Sequence, residues 1–437
     1  MRILLVQSYL AKEDVRLYPL GLVCVASSLN NHQVCICDLN LYEDPFAQLE
    51  KQLLEYRPDV VGVSLRNIDN QDRINTVYYY NDFVRTIKRI KAVAPKVRLI
   101  VGGAGYSMFA REIMQRNGEI DFGVYLEGEP TFPELLDNLD DPAAVRGLYY
   151  RERGEVRFTG EREPPELDSL PRTQRSYADM SAYDNTIINI GVESKRGCMF
   201  DCIYCNYPFL NGNTIRRRDP KNVVDEIEDM VNEYGIRRFT FVDPIFNVPI
   251  DHANQICREI IKRNLDVSWG AYMHLRYATE QFLLTAREAG CEAFIFSPDG
   301  ASDNALKSLC KRITEAELRK VYKLFRTNEK LKDAFVLFTL MLSPPGGTFR
   351  DLVKTLWFHT KAKHQLRGRG GAIMGWIRIE PKTKVHELAI GGSKHGIDLL
   401  PESAGALENT FYKNPSLRMF DAAIFHLMKM TRPSKKN

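Results

Sequence analysis

Three of the nine cysteines fall in one short run, Gly197-Cys198-Met199-Phe200-Asp201-Cys202-Ile203-Tyr204-Cys205. A C-x₃-C-x₂-C spacing on a tight loop can offer three thiolates to three irons of a cubane cluster and leave the fourth iron open. Structural zinc is the rival, but it asks for four ligands, usually as two paired sets. No second pair lies nearby, and His252 and His274 each stand alone. Three unrelated core cysteines do not suit a polar loop that carries an aspartate. The other six, Cys24, Cys35, Cys37, Cys257, Cys291 and Cys310, sit among apolar neighbours and read as core packing.

The elements that position this loop come in two alternating series. Strands are expected at 187–193, 239–242, 267–273, 293–297, 335–342 and 372–379, with a helical stretch after each. Six such units predict a partial parallel barrel over residues 187–392, with its working face at the strand C-termini. The cysteine loop directly follows the first strand. Upstream, strands at 3–6, 34–37, 60–64, 99–101 and 122–126 alternate with four helices, predicting a doubly wound parallel sheet over residues 1–150. Residues 151–186 are rich in charge and proline without a sustained period and read as a linker, with a small hairpin at 147–158. A short helical tail, 393–437, ends the chain. The fold class is thus α/β throughout, and 437 residues suit two or three domains.

With these elements in place, the loop resembles that of the radical S-adenosylmethionine (SAM) enzymes, in its spacing and in Tyr204 before the third cysteine. The resemblance implies that Cys198, Cys202 and Cys205 bind a [4Fe–4S] cluster whose open iron is chelated by SAM. Further matches lie at the other strand ends. Phe241-Val242-Asp243-Pro244 is similar to the second-strand segment, which implies SAM contacts at Asp243 as well as Tyr204. Ser297-Pro298-Asp299-Gly300-Ala301-Ser302-Asp303 resembles the fourth-strand motif and implies SAM contacts at Ser297 and Asp299, with proline in the middle and aspartate in place of glutamate. The segment around Gly346 matches the fifth strand end and implies another SAM contact. Arg378–Thr383 matches the sixth, with Lys382 replacing a glycine.

The first sheet carries Ser64-Leu65-Arg66, Gly102-Gly103-Ala104-Gly105 and Glu127-Gly128-Glu129 at or near strand ends, where such sheets bind ligands. These glycines could be turn residues only. A dinucleotide fingerprint is incomplete here and sits on the wrong strand, and no Walker A motif is present. Directly ahead of a barrel of this kind, the domain resembles the cobalamin-binding domain of B12-dependent radical SAM enzymes. That implies cobalamin contacts at Ser64, Leu65, Arg66, Gly102, Gly103, Glu127, Gly128 and Glu129. The D-x-H-x-x-G motif is missing, and Asp38-Leu39-Asn40-Leu41 occupies the comparable loop, which implies cobalt without a lower histidine ligand. Leu65 or Arg66 is expected at that lower face.

The two resemblances imply a cobalamin-dependent methylase that abstracts hydrogen with a 5′-deoxyadenosyl radical and methylates an unactivated carbon. Non-methylating cyclisation, oxidation or rearrangement is the alternative within the same cofactor pair, and a non-enzymatic iron–sulfur sensor or scaffold is the alternative of another class. A methylthiotransferase would carry three cluster cysteines in its first domain, and Cys24, Cys35 and Cys37 lack that spacing. The expected partners are a small-molecule or peptide substrate and an external electron donor such as flavodoxin or ferredoxin. No residue stands out as the catalytic proton acceptor. Sixty Lys and Arg against 56 Asp and Glu give a net charge of +4, too balanced for a general nucleic-acid binder. Neither a membrane span nor a signal peptide is apparent, and a cytoplasmic location is expected.

Overall fold

In the computed structural model, residues 1–11, 16–183, 186–391 and 397–431 are described, and the chain divides into two compact units. The first comprises Met1–Asn70 and Val77–Asn185. Its parallel strands are β1 (Arg2–Gln7), β2 (Gln33–Asp38), β3 (Val60–Ser64), β4 (Arg98–Gly102) and β5 (Phe122–Val124). They are near-continuous apolar runs because helices cover the sheet, as parallel strands require. Ile3, Leu5, Val60, Ile100 and Phe132 meet in one buried cluster.

Two antiparallel strands, β6 (Leu148–Glu152) and β7 (Glu155–Phe158), extend that sheet to the order β2-β1-β3-β4-β5-β6-β7. The expected hairpin is therefore the sheet's own edge. Its cross-strand partners Tyr149 and Phe158 stack at 4.4 Å, and both pack edge-on against Tyr125, the kind of pair that holds strands in register. The rest of the expected linker also lies with this unit. Gln174 N–H donates to Ser27 Oγ (2.8 Å), Tyr18 Oη to the Arg175 carbonyl (2.8 Å), and Tyr183 Oη to Asp38 (2.7 Å). A helix at Gly128–Asp137 escapes the sequence pattern because Gly128, Pro130 and Pro133 lie within it.

The second unit comprises Gln71–Thr76 and Thr186–Asn437. Strand β8 (Gly191–Val192) leads into a short antiparallel hairpin of β9 (Lys195–Arg196) and β10 (Arg216–Arg217). Then come β11 (Arg238–Phe241), β12 (Ser268–Met273), β13 (Cys291–Asp299), β14 (Phe335–Met341) and β15 (Gly370–Gly375). The six strands β8, β11, β12, β13, β14 and β15 pair in parallel in that order, and β8 and β15 are open edges. This is the expected partial barrel. Helices such as Glu315–Thr327 and Phe349–Gln365 follow their strands, and capping boxes at Thr314 and Thr348 open both. Phe294, Phe296, Phe325, Phe338 and Phe358 fill the layer between sheet and helices.

Six residues from early in the chain are built into this second unit. Arg73 pairs with Asp421 at 2.8 Å, and Ile74 packs with Trp376, Phe411 and Phe425. The expected end of the barrel region at 392 and the start of the tail at 393 lie outside the described residues.

Candidate functional site: a cysteine-lined cavity and a sheet edge

The β9–β10 hairpin clamps the base of the cysteine loop. Gly197 has φ +88°, and a Cβ there would stand 2.0 Å from the Thr214 carbonyl, so only glycine lets the two arms close. Cys198 N–H then donates to the Gly212 carbonyl (3.0 Å), and Cys205 N–H to that of Cys202 (3.1 Å). Burial pushes all three cysteine thiols up, Cys205 to about 12. Neutral thiols of this kind ionise on meeting a metal centre.

All three cysteines border one cavity of about 330 Å³, together with Tyr204, Asp243, Ser297 and Lys311. Among the described residues, no three His, Cys, Asp or Glu side chains converge on a position for a single ion. Three cysteines from one loop match the ligand number of a cubane that keeps one iron open, whereas structural zinc asks for four ligands.

Lys311 supplies the cavity's cation. Its Nζ donates to Asp299 Oδ2 (2.7 Å) and to Tyr204 Oη (3.0 Å); Tyr204 in turn donates to Asp299, whose other oxygen accepts from Thr339 (3.0 Å). Asp299 is 1 % and Lys311 9 % exposed. Burial opposes the ammonium charge, but Asp299 and Tyr204 outweigh it and hold the Lys311 pKa well above its ordinary value. Two of the three ammonium protons are thus committed and the third is available to an anion in the cavity.

The SAM contacts implied by the sequence separate here. Tyr204 and Ser297 border the cavity with the cysteines. Asp299 stands behind Tyr204 and Lys311 and fixes them. Asp243 also borders it, but its carboxylate accepts from Ser194 N–H (2.8 Å), Ser194 Oγ (2.5 Å) and Lys195 N–H (3.2 Å) and pairs with Lys195 Nζ (3.4 Å). With those directions filled, its side chain ties the β8–β9 turn to the end of β11. Gly346 lies in the turn after β14, where its carbonyl accepts from Asn304 (3.3 Å), and does not border this cavity. Lys311 carries no sequence signal, since its role depends on an aspartate twelve residues earlier.

In the first unit, the carboxyl edge of β3, β4 and β5 gathers the residues implied for cobalamin. Gly103 has φ +100°, and a Cβ there would stand 2.6 Å from the Leu65 carbonyl. Gly105 N–H donates to the carbonyls of Leu65 (3.0 Å) and Arg66 (2.8 Å). Gly103 and Gly105 thus let the β3 and β4 loops close on each other. Leu65 is 0 % exposed and Glu129 is buried, so both frame the edge. Arg66 is exposed, and Ser64, Gly102, Gly103, Glu127 and Gly128 are half-buried along it. Leu65 therefore cannot be the lower-face residue without leaving the core. In the Asp38 loop, Asp38 and Asn40 bond each other, and Asn40 also bridges to Ser8 and Leu10. No described helix is long and apolar enough to cross a membrane.

Comparison with known proteins bears on both units. The B12 binding domain family matches residues 7–136 and the Radical SAM superfamily residues 192–356. An uncharacterized methyltransferase of Pyrococcus horikoshii is 30 % identical over 307 residues, covering 68 % of this chain and 64 % of that protein. The anaerobic magnesium-protoporphyrin IX monomethyl ester cyclase of Rubrivivax gelatinosus is 25 % identical over 300 residues, covering 66 % and 52 %. The chain thus spans between about half and two thirds of these relatives' lengths. In fold, it is similar to the radical S-adenosylmethionine methyltransferase TsrM from Kitasatospora setae, with a TM-score of 0.79 at 19 % identity over 98 % of this chain and 89 % of that one. With a B12-binding domain ahead of a radical SAM domain, and a cysteine loop at the head of the second, the chain belongs to the cobalamin-dependent radical SAM enzyme family.

Proposed function

We propose that this protein is a methyltransferase that alkylates an unactivated carbon of a small-molecule or peptide substrate. The observation that carries the reading is the shared cavity: Cys198, Cys202 and Cys205 open onto it beside a lysine whose charge is fixed by Asp299 and Tyr204. When bound, the reduced cluster supplies the electron that splits SAM into methionine and a 5′-deoxyadenosyl radical, and cobalamin carries the methyl group. Lys311 binds the carboxylate of SAM through its remaining N–H. Asp299 positions Lys311, and Tyr204 and Ser297 add polar contacts along the same wall. In the first unit, Arg66 would hold the corrin together with Ser64, Gly102, Gly103, Glu127 and Gly128 along the edge. Arginine has no lone pair to donate, and the unit's one histidine, His32, precedes β2 at the opposite edge, so this unit would offer a cobalt no histidine ligand. An external flavodoxin or ferredoxin supplies electrons.

The chemistry can be tested before the substrate is known. Anaerobically reconstituted protein, given cob(I)alamin and SAM labelled with a trideuterated methyl group, is expected to form labelled methylcobalamin and S-adenosylhomocysteine in equal amounts. Under reduction it is also expected to release 5′-deoxyadenosine, and Cys198→Ala, Cys202→Ala or Cys205→Ala removes that release together with the iron. Release of 5′-deoxyadenosine without any methylcobalamin would refute methyl transfer and favour cyclase-type chemistry.

A further inference from the structure

Two helices of the second unit share an outer surface that the fold does not use. On the helix Phe349–Gln365, the residues Phe349, Val353 and Trp357 fall at four-residue intervals and are exposed, so they line one face. On the helix Arg418–Thr431, Phe420, Leu427 and Met430 recur at helical spacing and are exposed as well, Met430 by 78 %. The Phe349 and Phe420 rings meet at 4.6 Å and join the two stripes. Burial accounts for the opposite side of the second helix only. There Phe425 packs edge-on against Trp376, and Asp421 pairs with Arg73 (2.8 Å). Joined apolar patches on a folded protein mark interaction sites.

The exposed charges on both helices, Arg350, Lys363, Arg418 and Lys429, are all cations. The helices' two carboxylates are buried and spent: Asp351 accepts from Ser302 (2.6 Å) and Asn304 (2.7 Å), and Asp421 from Arg73 and from the Trp376 indole N–H (2.5 Å). Trp357 is 51 % exposed, with Lys361 Nζ at 4.5 Å and the Arg319 guanidinium at 5.7 Å from its ring. What covers this face must therefore be apolar and anionic together. A second copy docked patch to patch would set cations against cations. Side chains that project as far as Met430 line no groove for a partner's helix, whereas an indole between cations, beside exposed aliphatic side chains, suits the interface of an anionic bilayer. Neither helix is long and apolar enough to cross it, so the contact lies along the bilayer surface.

We infer that the outer faces of the helices Phe349–Gln365 and Arg418–Thr431 form a docking surface for an anionic lipid bilayer: Trp357, Leu427 and Met430 enter its interface, and the cations around them meet headgroup phosphates. This goes beyond the methyl-transfer reading and does not depend on it, since neither helix supplies a ligand to the cysteine-lined cavity. Apolar burial and attraction to anionic lipid add in such a contact, and the second of these is screened by salt.

The test floats the reconstituted full-length protein with vesicles of equal parts phosphatidylcholine and phosphatidylglycerol, and with vesicles of phosphatidylcholine alone. Binding to the mixed vesicles is expected to be at least about tenfold tighter and to weaken as salt is added. Trp269 and Trp376 are buried, so a blue shift of tryptophan emission on binding reads Trp357 entering the interface. The double variant Leu427→Glu/Met430→Glu changes two exposed side chains and is expected to bind the mixed vesicles at least about tenfold more weakly. Should that variant fail to fold, the wild-type emission shift and its loss in salt decide. No binding to the mixed vesicles overturns the proposal, and so does equal binding to phosphatidylcholine alone. Full binding by the folded double variant overturns it too, because the contact would then lie elsewhere. A wild-type dimer in sedimentation that the double variant dissolves would give the face to a second copy and overturn it as well.

Discussion

Replacing Lys311 with methionine separates two roles that the cavity wall combines. Lys311 and Asp299 are 9 % and 1 % exposed and 2.7 Å apart. Removing one partner of such a buried pair leaves the other charge uncompensated, which typically costs about 3–5 kcal/mol. Asp299 would keep its bonds from Tyr204 and Thr339, so the loss in Lys311→Met should fall near the lower end, about 3 kcal/mol. Asp299→Asn is the suitable second change. Asp299 has φ +61°, a left-handed conformation that asparagine adopts more readily than most residues. Because the double variant buries no lone charge, it should recover about 2 kcal/mol of the summed losses. The three tryptophans, Trp269, Trp357 and Trp376, all lie in the second unit, so urea unfolding followed by tryptophan fluorescence reads this unit alone. SAM affinity should behave differently. A charged hydrogen bond to its carboxylate is worth about 1.5–3 kcal/mol, or about 10- to 150-fold in Kd, and the double variant has no ammonium with which to restore it. Equilibrium dialysis of reconstituted protein measures this. A coupling below about 0.5 kcal/mol, or wild-type SAM binding by the double variant, would refute the assignment of Lys311.

Three further outcomes follow from the same geometry. Gly103→Ala drives a Cβ to 2.6 Å from the Leu65 carbonyl in a left-handed conformation, so it should cost about 2 kcal/mol or more and weaken cobalamin binding. Circular dichroism melting and cobalamin absorbance check these, and a variant indistinguishable from wild type in both refutes the close-approach argument. Arg66→His should introduce nitrogen superhyperfine splitting in the EPR spectrum of the cob(II)alamin form, and such splitting already present in wild type would refute an open lower face. His274 is pushed down to about 4 from about 6.5 in an unfolded chain. Its stabilising contribution is therefore complete above about pH 6.5 and is lost as pH falls toward 4, by up to about 3 kcal/mol. In His274→Phe without metal, the pH dependence of urea midpoints should flatten over that window.

The alternation of strands and helices was legible because both parallel sheets are covered by helices and their strands read as bare apolar runs, as in Val60–Ser64 and Phe335–Met341. The same logic hid the helix Gly128–Asp137, where two prolines fall among its early residues. It also read 151–186 as a linker. Beyond the β6–β7 pair, the described residues of that stretch are held to the first unit by single side-chain bonds, such as Tyr183 to Asp38, and such bonds leave no period in a sequence. The six residues Gln71–Thr76 that join the second unit are similarly silent, since an arginine reads as surface until its aspartate and two aromatic rings are found around it.

The site divides along the same line. Three cysteines can be found from spacing alone because the whole ligand set proposed for a cluster falls within one loop. The residues that tune the loop cannot, because each acts through a partner far away in sequence. Tyr204 finds Asp299, and His274 finds Phe200 and Asn247. Asp243 marks the boundary between the two cases. Its place at the end of β11 was apparent, yet its carboxylate is spent on Ser194 and Lys195, immediately before the cysteine loop. A strand-end acid that looks ready for a ligand is here the anchor that aims the loop, while the charge available to a ligand comes from Lys311. Position at the working face therefore selects candidates, and the acceptor or donor capacity left after internal bonding decides which of them can touch what enters.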